Sequence, residues 1–143
     1  MDFLTPAQRS ERMSRIRGSG TKPELILAKE LRQIGMRFRQ QAKGIAGKPD
    51  FANKSKRVAI FVNGCFWHGH LCQKGRIPKT NSSFWAEKIL ANRKRDRRNA
   101  RYLRVSGWIV ITVWECRIKK KTLLEKEILR IRRELDKRFD PLN

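Results

Sequence analysis

The chain has 143 residues, 39% hydrophobic and 34% charged, with 35 Lys and Arg against 13 Asp and Glu and a formal net charge of +22. That length suits one domain with a modest core, and the apolar fraction excludes a disordered basic tail. The cationic excess ill fits an enzyme of small molecules; with no bilayer-spanning apolar run and no signal-peptide pattern, it points away from membranes to a cytoplasmic nucleic-acid binder.

Thr5-Pro6-Ala7-Gln8 reads as a helix start with Thr5 as N-cap. The basic segment Arg9 to Arg17 follows and Gly18-Ser19-Gly20 breaks it, which predicts an arm over residues 1–20 outside a single domain over 21–143. Thr21-Lys22-Pro23-Glu24 forms a second capping-box pattern, opening a helix through Leu25, Leu27, Ala28, Leu31 and Ile34 that Gly35 ends. Met36 to Gln41 alternates apolar and basic residues as a strand does. Pro49-Asp50-Phe51-Ala52 leads into another, and Asn53-Lys54-Ser55-Lys56 is a turn. Val58 to Val62 is continuously apolar and β-branched, the pattern of a central buried strand. Ser82 or Ser83 caps a long helix to about Val105, stopped by Gly107. Trp108 to Val113 is a further apolar strand, and Thr122 with Glu125 makes a capping box for a closing helix that Asp140-Pro141 ends. After the arm, the order is helix, three strands, helix, strand, helix: an α/β sandwich with a mixed sheet flanked by helices.

The three cysteines and two histidines are concentrated in Cys65-Phe66-Trp67-His68-Gly69-His70-Leu71-Cys72, with Cys116 in Trp114-Glu115-Cys116. Three cysteines cannot all pair as disulfides, whereas a structural zinc takes four thiolate or imidazole ligands. Cys65, Cys72 and Cys116 with one histidine satisfy zinc, staple the 63–82 loop to the sheet, and leave one imidazole over. Spacing leaves open whether that is His68 or His70. Buried core thiols are the plainer alternative.

Asp50 is the sole acidic residue between Leu31 and Ala86, amid many Lys and Arg. A lone carboxylate there is able to hold Mg²⁺ against a phosphate, or simply to cap a turn beside a lysine. By spacing alone Glu24 is a capping partner, Asp96 balances charge among Arg93, Lys94, Arg95, Arg97 and Arg98, and Glu115 is a salt-bridge partner. The basic helix from Phe84 to Arg104 offers phosphate contacts. Phe66-Trp67 and Phe84-Trp85, at loop and helix-start positions, are able to stack on bases or wedge a base step, or else to pack in the core, as expected for Phe61 and Trp108.

The segments Met13-Ser14-Arg15-Ile16-Arg17-Gly18, Thr21-Lys22-Pro23-Glu24, Gly47-Lys48-Pro49-Asp50-Phe51, Gly64-Cys65-Phe66-Trp67-His68, Phe84-Trp85-Ala86-Glu87-Lys88, Arg95-Asp96-Arg97-Arg98 and Val113-Trp114-Glu115-Cys116 occur in one order. In this the chain closely resembles the very-short-patch repair (Vsr) DNA mismatch endonucleases. The resemblance implies a restriction-endonuclease-like core that nicks one strand 5′ of the thymine in T:G mismatches left by 5-methylcytosine deamination. It implies Mg²⁺ on Asp50 and the main-chain carbonyl of Val62, His68 as the catalytic histidine, and Glu24 and Asp96 as further active-site acids. Structural Zn²⁺ goes to Cys65, His70, Cys72 and Cys116, and Phe66, Trp67 and Trp85 are the intercalating aromatics. The implied setting is a monomer acting on double-stranded DNA at a prokaryotic nucleoid, alongside mismatch-repair proteins and a repair polymerase. Val62-Asn63 departs from the Thr-His of well-known members, and Gly69 and Leu71 replace histidines. Two rival expectations are a restriction-type nuclease of undamaged sites and a non-catalytic zinc-stapled DNA-binding module.

Overall fold

The computed structural model describes residues 21–35, 37–72 and 75–139; the expected arm over 1–20 and the Asp140-Pro141 stop lie outside them. Helix α1 (Lys22–Arg32) buries Pro23, Glu24, Leu27, Ala28 and Leu31; Leu27, Ala28 and Leu31 follow the expected spacing, whereas Leu25 is 57% exposed. The chain leaves α1 through a turn in which Gly35 takes φ +89°. The second capping box is not formed: the Thr21 hydroxyl makes no capping hydrogen bond, and Glu24 instead accepts one from Gln41.

Strands β1 (Arg39–Gln40), β2 (Phe51–Asn53) and β3 (Val58–Asn63) follow, then helix α2 (Ser82–Val105) and strand β4 (Ile109–Trp114). The sheet order is β1-β2-β3-β4, with the first two pairings antiparallel and β3–β4 parallel, so the sheet is mixed as expected. The strand read over 36–41 shrinks to two described residues, because Gln41 turns out of the ladder at φ +52°. Asn53 builds the β2–β3 turn, its side-chain oxygen accepting hydrogen bonds from Ser55 Oγ and the Lys56 N–H. Val58, Ala59 and Ile60 are fully buried, which identifies β3 as the central strand.

Alternation along β3 and β4 divides the core in two. Val58, Ile60, Ile111 and Val113 face α1, a short helix α3 (Glu115–Ile118) and helix α4 (Lys121–Phe139). Helix α4 contributes Leu124, Ile131 and Leu135 to this face. Burying each such side chain stabilises by about 1.5–3 kcal/mol. On the other face Ala42, Ala52 and Ala59 meet Ile45 and Leu103, with Phe61 and Trp108 half-buried against them. Alanines there let the 41–50 loop and α2 approach the sheet closely.

Two further helix starts differ from the sequence pattern. Asn81, in the left-handed region at φ +56°, precedes α2, which leaves Ser82 and Ser83 inside the first turn. Only Lys119 and Lys120 separate α3 from α4, so α4 starts at Lys121 and Thr122 is already helical rather than capping.

Helix α2 is 24 residues, roughly 36 Å. Its buried residues, Trp85, Ile89 and Leu103, lie toward its two ends. The stretch between them carries Asn92, Arg95, Asp96 and Asn99 across the sheet without burying an apolar stripe. That polar span roofs the candidate site.

Candidate active site

Asp50 precedes β2 on a loop tied down by buried Pro49 and by the Gln41 N–H donating to the Asp50 carbonyl at 3.0 Å. Its Oδ2 accepts the Val62 N–H at 2.6 Å, and its Oδ1 accepts from Gln41 Nε2 at 3.4 Å. The same Gln41 amide donates to Glu24 Oε2 at 3.2 Å, so one side chain joins the two acids. Burial lifts the Asp50 carboxyl above its ordinary value. Hydrogen bonds with Val62, Gln41 and Glu24 and the field of His68 pull the other way without cancelling it. Among the described residues no Lys or Arg forms an ion pair with Asp50, despite the cationic excess of the chain.

Across from Asp50, His68 Nδ1 lies 2.5 Å from Asp96 Oδ2. A carboxylate on Nδ1 holds the proton there and leaves the Nε2 lone pair available as a base. Asp50, Val62, Asn63, His68 and Asp96 line one cavity of about 580 Å³, which Lys48, Arg95 and Asn99 also face. Gly47 forms one wall at φ +79°, where a Cβ would lie 3.1 Å from Asn99 Cβ and 3.1 Å from Phe61 Cε1. The structure thus gathers Asp50, Val62, His68 and Asp96, separated widely in sequence, around one space, with Glu24 one amide behind.

The loop after β3 turns tightly: His68 N–H donates to the Gly64 carbonyl at 3.2 Å and His70 N–H to that of Cys65 at 2.9 Å. Gly69 takes φ +63°, and a Cβ there would lie 2.7 Å from Ile89 Cγ2, so α2 presses against this turn. The turn sends the two imidazoles to different places. His68 enters the cavity, whereas His70 stacks on Trp114 at 4.2 Å and brings Nδ1 to 3.6 Å from Cys116 Sγ. The ligand atoms of Cys65, His70, Cys72 and Cys116 all lie within 4.8 Å of one another. Tetrahedral zinc, with bonds of roughly 2.0–2.3 Å, needs such atoms about 3.5 Å apart, so small side-chain shifts suffice and the set fits. Burial pushes the Cys65 thiol up to about 12, and the Cys72 and Cys116 thiols crowd it in the same direction. Such a cluster of thiolates forms only around a cation. Glu115 braces the loop by accepting the Cys65 N–H at 3.3 Å.

Phe66, Trp67 and Trp85 pack edge-on, with centroids 5.1, 5.3 and 6.0 Å apart. Trp85 is only 7% exposed, while Phe84 beside it is 52% exposed. Lys88 Nζ sits 5.8 Å from the Trp67 ring centre, and Asn92 Nδ2 donates to the Trp67 carbonyl at 2.9 Å. Gln41 and Asn99 escaped the sequence reading as site residues, while Asn63 figured in it only as a departure from the family pattern and Arg95 only as a neighbour of Asp96. Amides and arginines are common everywhere, and only tertiary placement separates these from the rest.

A family model described as DNA mismatch endonuclease Vsr matches residues 1–74. The type II nicking enzyme V.NmeAIP of Neisseria meningitidis is 42% identical over 94% of this chain and 96% of its own length. The type II nicking enzyme V.XorIIP of Xanthomonas oryzae is 42% identical over 91% and 96%. The DNA mismatch endonuclease Vsr of Escherichia coli is 41% identical over 93% of this chain and 85% of its own. At this identity and coverage the chain belongs to the DNA mismatch endonuclease Vsr family, and it is an endodeoxyribonuclease.

Proposed function

We propose that this endonuclease is Mg²⁺-dependent and nicks one strand 5′ of the thymine in a T:G mismatch, on a restriction-endonuclease-like core. The observation that carries the reading is the convergence of Asp50, His68 and Asp96 on one cavity in a chain of this family. Asp50, uncompensated by any described Lys or Arg, and the Val62 carbonyl are the groups to hold Mg²⁺, with Glu24 as a neighbouring acid. When bound, Mg²⁺ supplies positive charge to the phosphate and to the leaving oxygen. His68 takes the proton of the attacking water at Nε2, and Asp96 steadies the imidazolium that forms. The water oxygen bonds to phosphorus as the P–O bond to the leaving oxygen breaks, and that oxygen is protonated from solvent.

Cys65, His70, Cys72 and Cys116 hold Zn²⁺ as a brace, because four protein ligands leave no open position. Phe66 and Trp67 wedge the stack beside the weak T:G pair, and Trp85 either supports them or turns outward to join them. Unstacking costs roughly a few kcal/mol per step, which a mismatch lowers. The enzyme acts as a monomer at the bacterial nucleoid ahead of repair synthesis. Among the described residues no helix is long and apolar enough to cross a membrane. A second reading, a nick in other sequence contexts, is favoured by the relatives called type II nicking enzymes.

Asp50→Ala and His68→Ala test the site. Each is expected to lower single-turnover nicking of a T:G duplex by about 100-fold or more while leaving duplex affinity nearly unchanged. Wild-type rates in both variants would remove this cavity from the chemistry.

A further inference from the structure

Asn63 is the last residue of β3, paired with Trp114 of β4. It falls on the same strand face as Phe61, toward α2, and is 9% exposed. The other buried polar side chains among the described residues, Glu24 and Glu127, hold hydrogen-bond partners. The Asn63 amide has none among the described residues, although it lines the cavity shared by Asp50, His68 and Asp96. With no protein partner, this amide is left to pair with water in the cavity or with a ligand that takes that water's place.

The ligand chemistry follows from the neighbours. Asp50 and Asp96 place two carboxylates beside the space a phosphate must enter, with Lys48 and Arg95 at its border. A phosphodiester offers only acceptor oxygens. An uncharged N–H donor lining the same cavity as those acids therefore binds it without adding charge, and an amide neither gives up nor takes a proton at ordinary pH. We propose that Asn63 is a catalytic residue of this centre, its Nδ2 donating a hydrogen bond to an oxygen of the scissile phosphodiester as charge builds there. The proposal rests on the reading of this cavity as the place of hydrolysis. It makes Asn63 a binder of the reacting group and not a proton carrier.

The test uses the full chain with Mg²⁺ on whichever labelled duplex it nicks, measuring single-turnover rate, duplex affinity in EDTA and melting temperature. Asn63→Ala is expected to lose about 100-fold in rate with affinity changed by less than about threefold, as for loss of one aimed donor. Asn63→Asp, which keeps the shape and an acceptor but removes the donor, falls at least as far. Asn63→His, which restores a ring N–H donor, stays within about tenfold of wild type. Should Asn63→Ala fail to fold, the ordering of the Asp and His variants decides. A wild-type rate in Asn63→Ala or Asn63→Asp overturns the proposal, as does Asp nicking as well as His. Asp50→Ala and His68→Ala run alongside. If both are inactive while the Asn63 variants are unimpaired, this proposal alone fails; if both nick normally, the cavity reading fails and takes the proposal with it.

Discussion

Burial disfavours a negative charge on Asp50, and the sign of that effect gives a stability prediction. Its folded-state value stands above the ordinary one of 3.8. The group therefore favours the fold fully below that ordinary value, and the contribution is lost as pH rises through the folded value. At neutral pH without metal, the ionised carboxylate works against folding. Asp50→Asn should raise the melting temperature without added Mg²⁺, by roughly 4 °C for each kcal/mol regained, while Mg²⁺-dependent nicking is lost. A lower melting temperature would show that the charge is already compensated. Gly69 is the opposite case. Its φ of +63° and the 2.7 Å approach to Ile89 Cγ2 make Gly69→Ala destabilising by about 1–3 kcal/mol. Urea unfolding measures this, and an unchanged midpoint would mean that α2 yields easily.

At the scale of elements, β3 and β4 were legible because a continuous β-branched run has few other fates, and α1 because its apolar stripe has a helical period. The capping contacts were not, although α1 does begin after Thr21. Capping depends on the direction from which the chain arrives, and the left-handed Asn81 and the short α3–α4 link set that. The candidate site was legible where residue types are rare: the cysteines, the histidines and a lone acid in a basic stretch. Which histidine does what required the resemblance, since both lie in one tight turn. Gln41 stayed hidden because its role arises from φ +52° and the approach of α1. Helix α3 carries Cys116 to the loop, so a zinc ion held by the four residues would tie β4 to the turn that presents His68. Cys116→Ser should lower zinc from about one per chain, measured by atomic emission, and lower both melting temperature and nicking. Full zinc content in that variant would contradict the four-ligand brace.

For the whole molecule, 35 Lys and Arg against 13 Asp and Glu set an attraction that needs no particular base. Duplex binding in EDTA should weaken by about 10³-fold or more between roughly 50 and 200 mM salt, similarly for matched and mismatched DNA. A flat salt response would mean that the charge faces something other than phosphate. On the proposed reading, charge brings the duplex, the aromatic group tests its stacking, and the cavity under α2 cuts. The direct test is a strand-specific nicking assay on end-labelled duplexes that differ only in T:G, T:A or C:G at one position, with Mg²⁺ or EDTA, across a library of flanking contexts. The account predicts a Mg²⁺-dependent nick immediately 5′ of the mismatched thymine, in one strand and in some contexts only. Nicking of matched duplexes at equal rates, or no Mg²⁺-dependent nick in any T:G context, would contradict it.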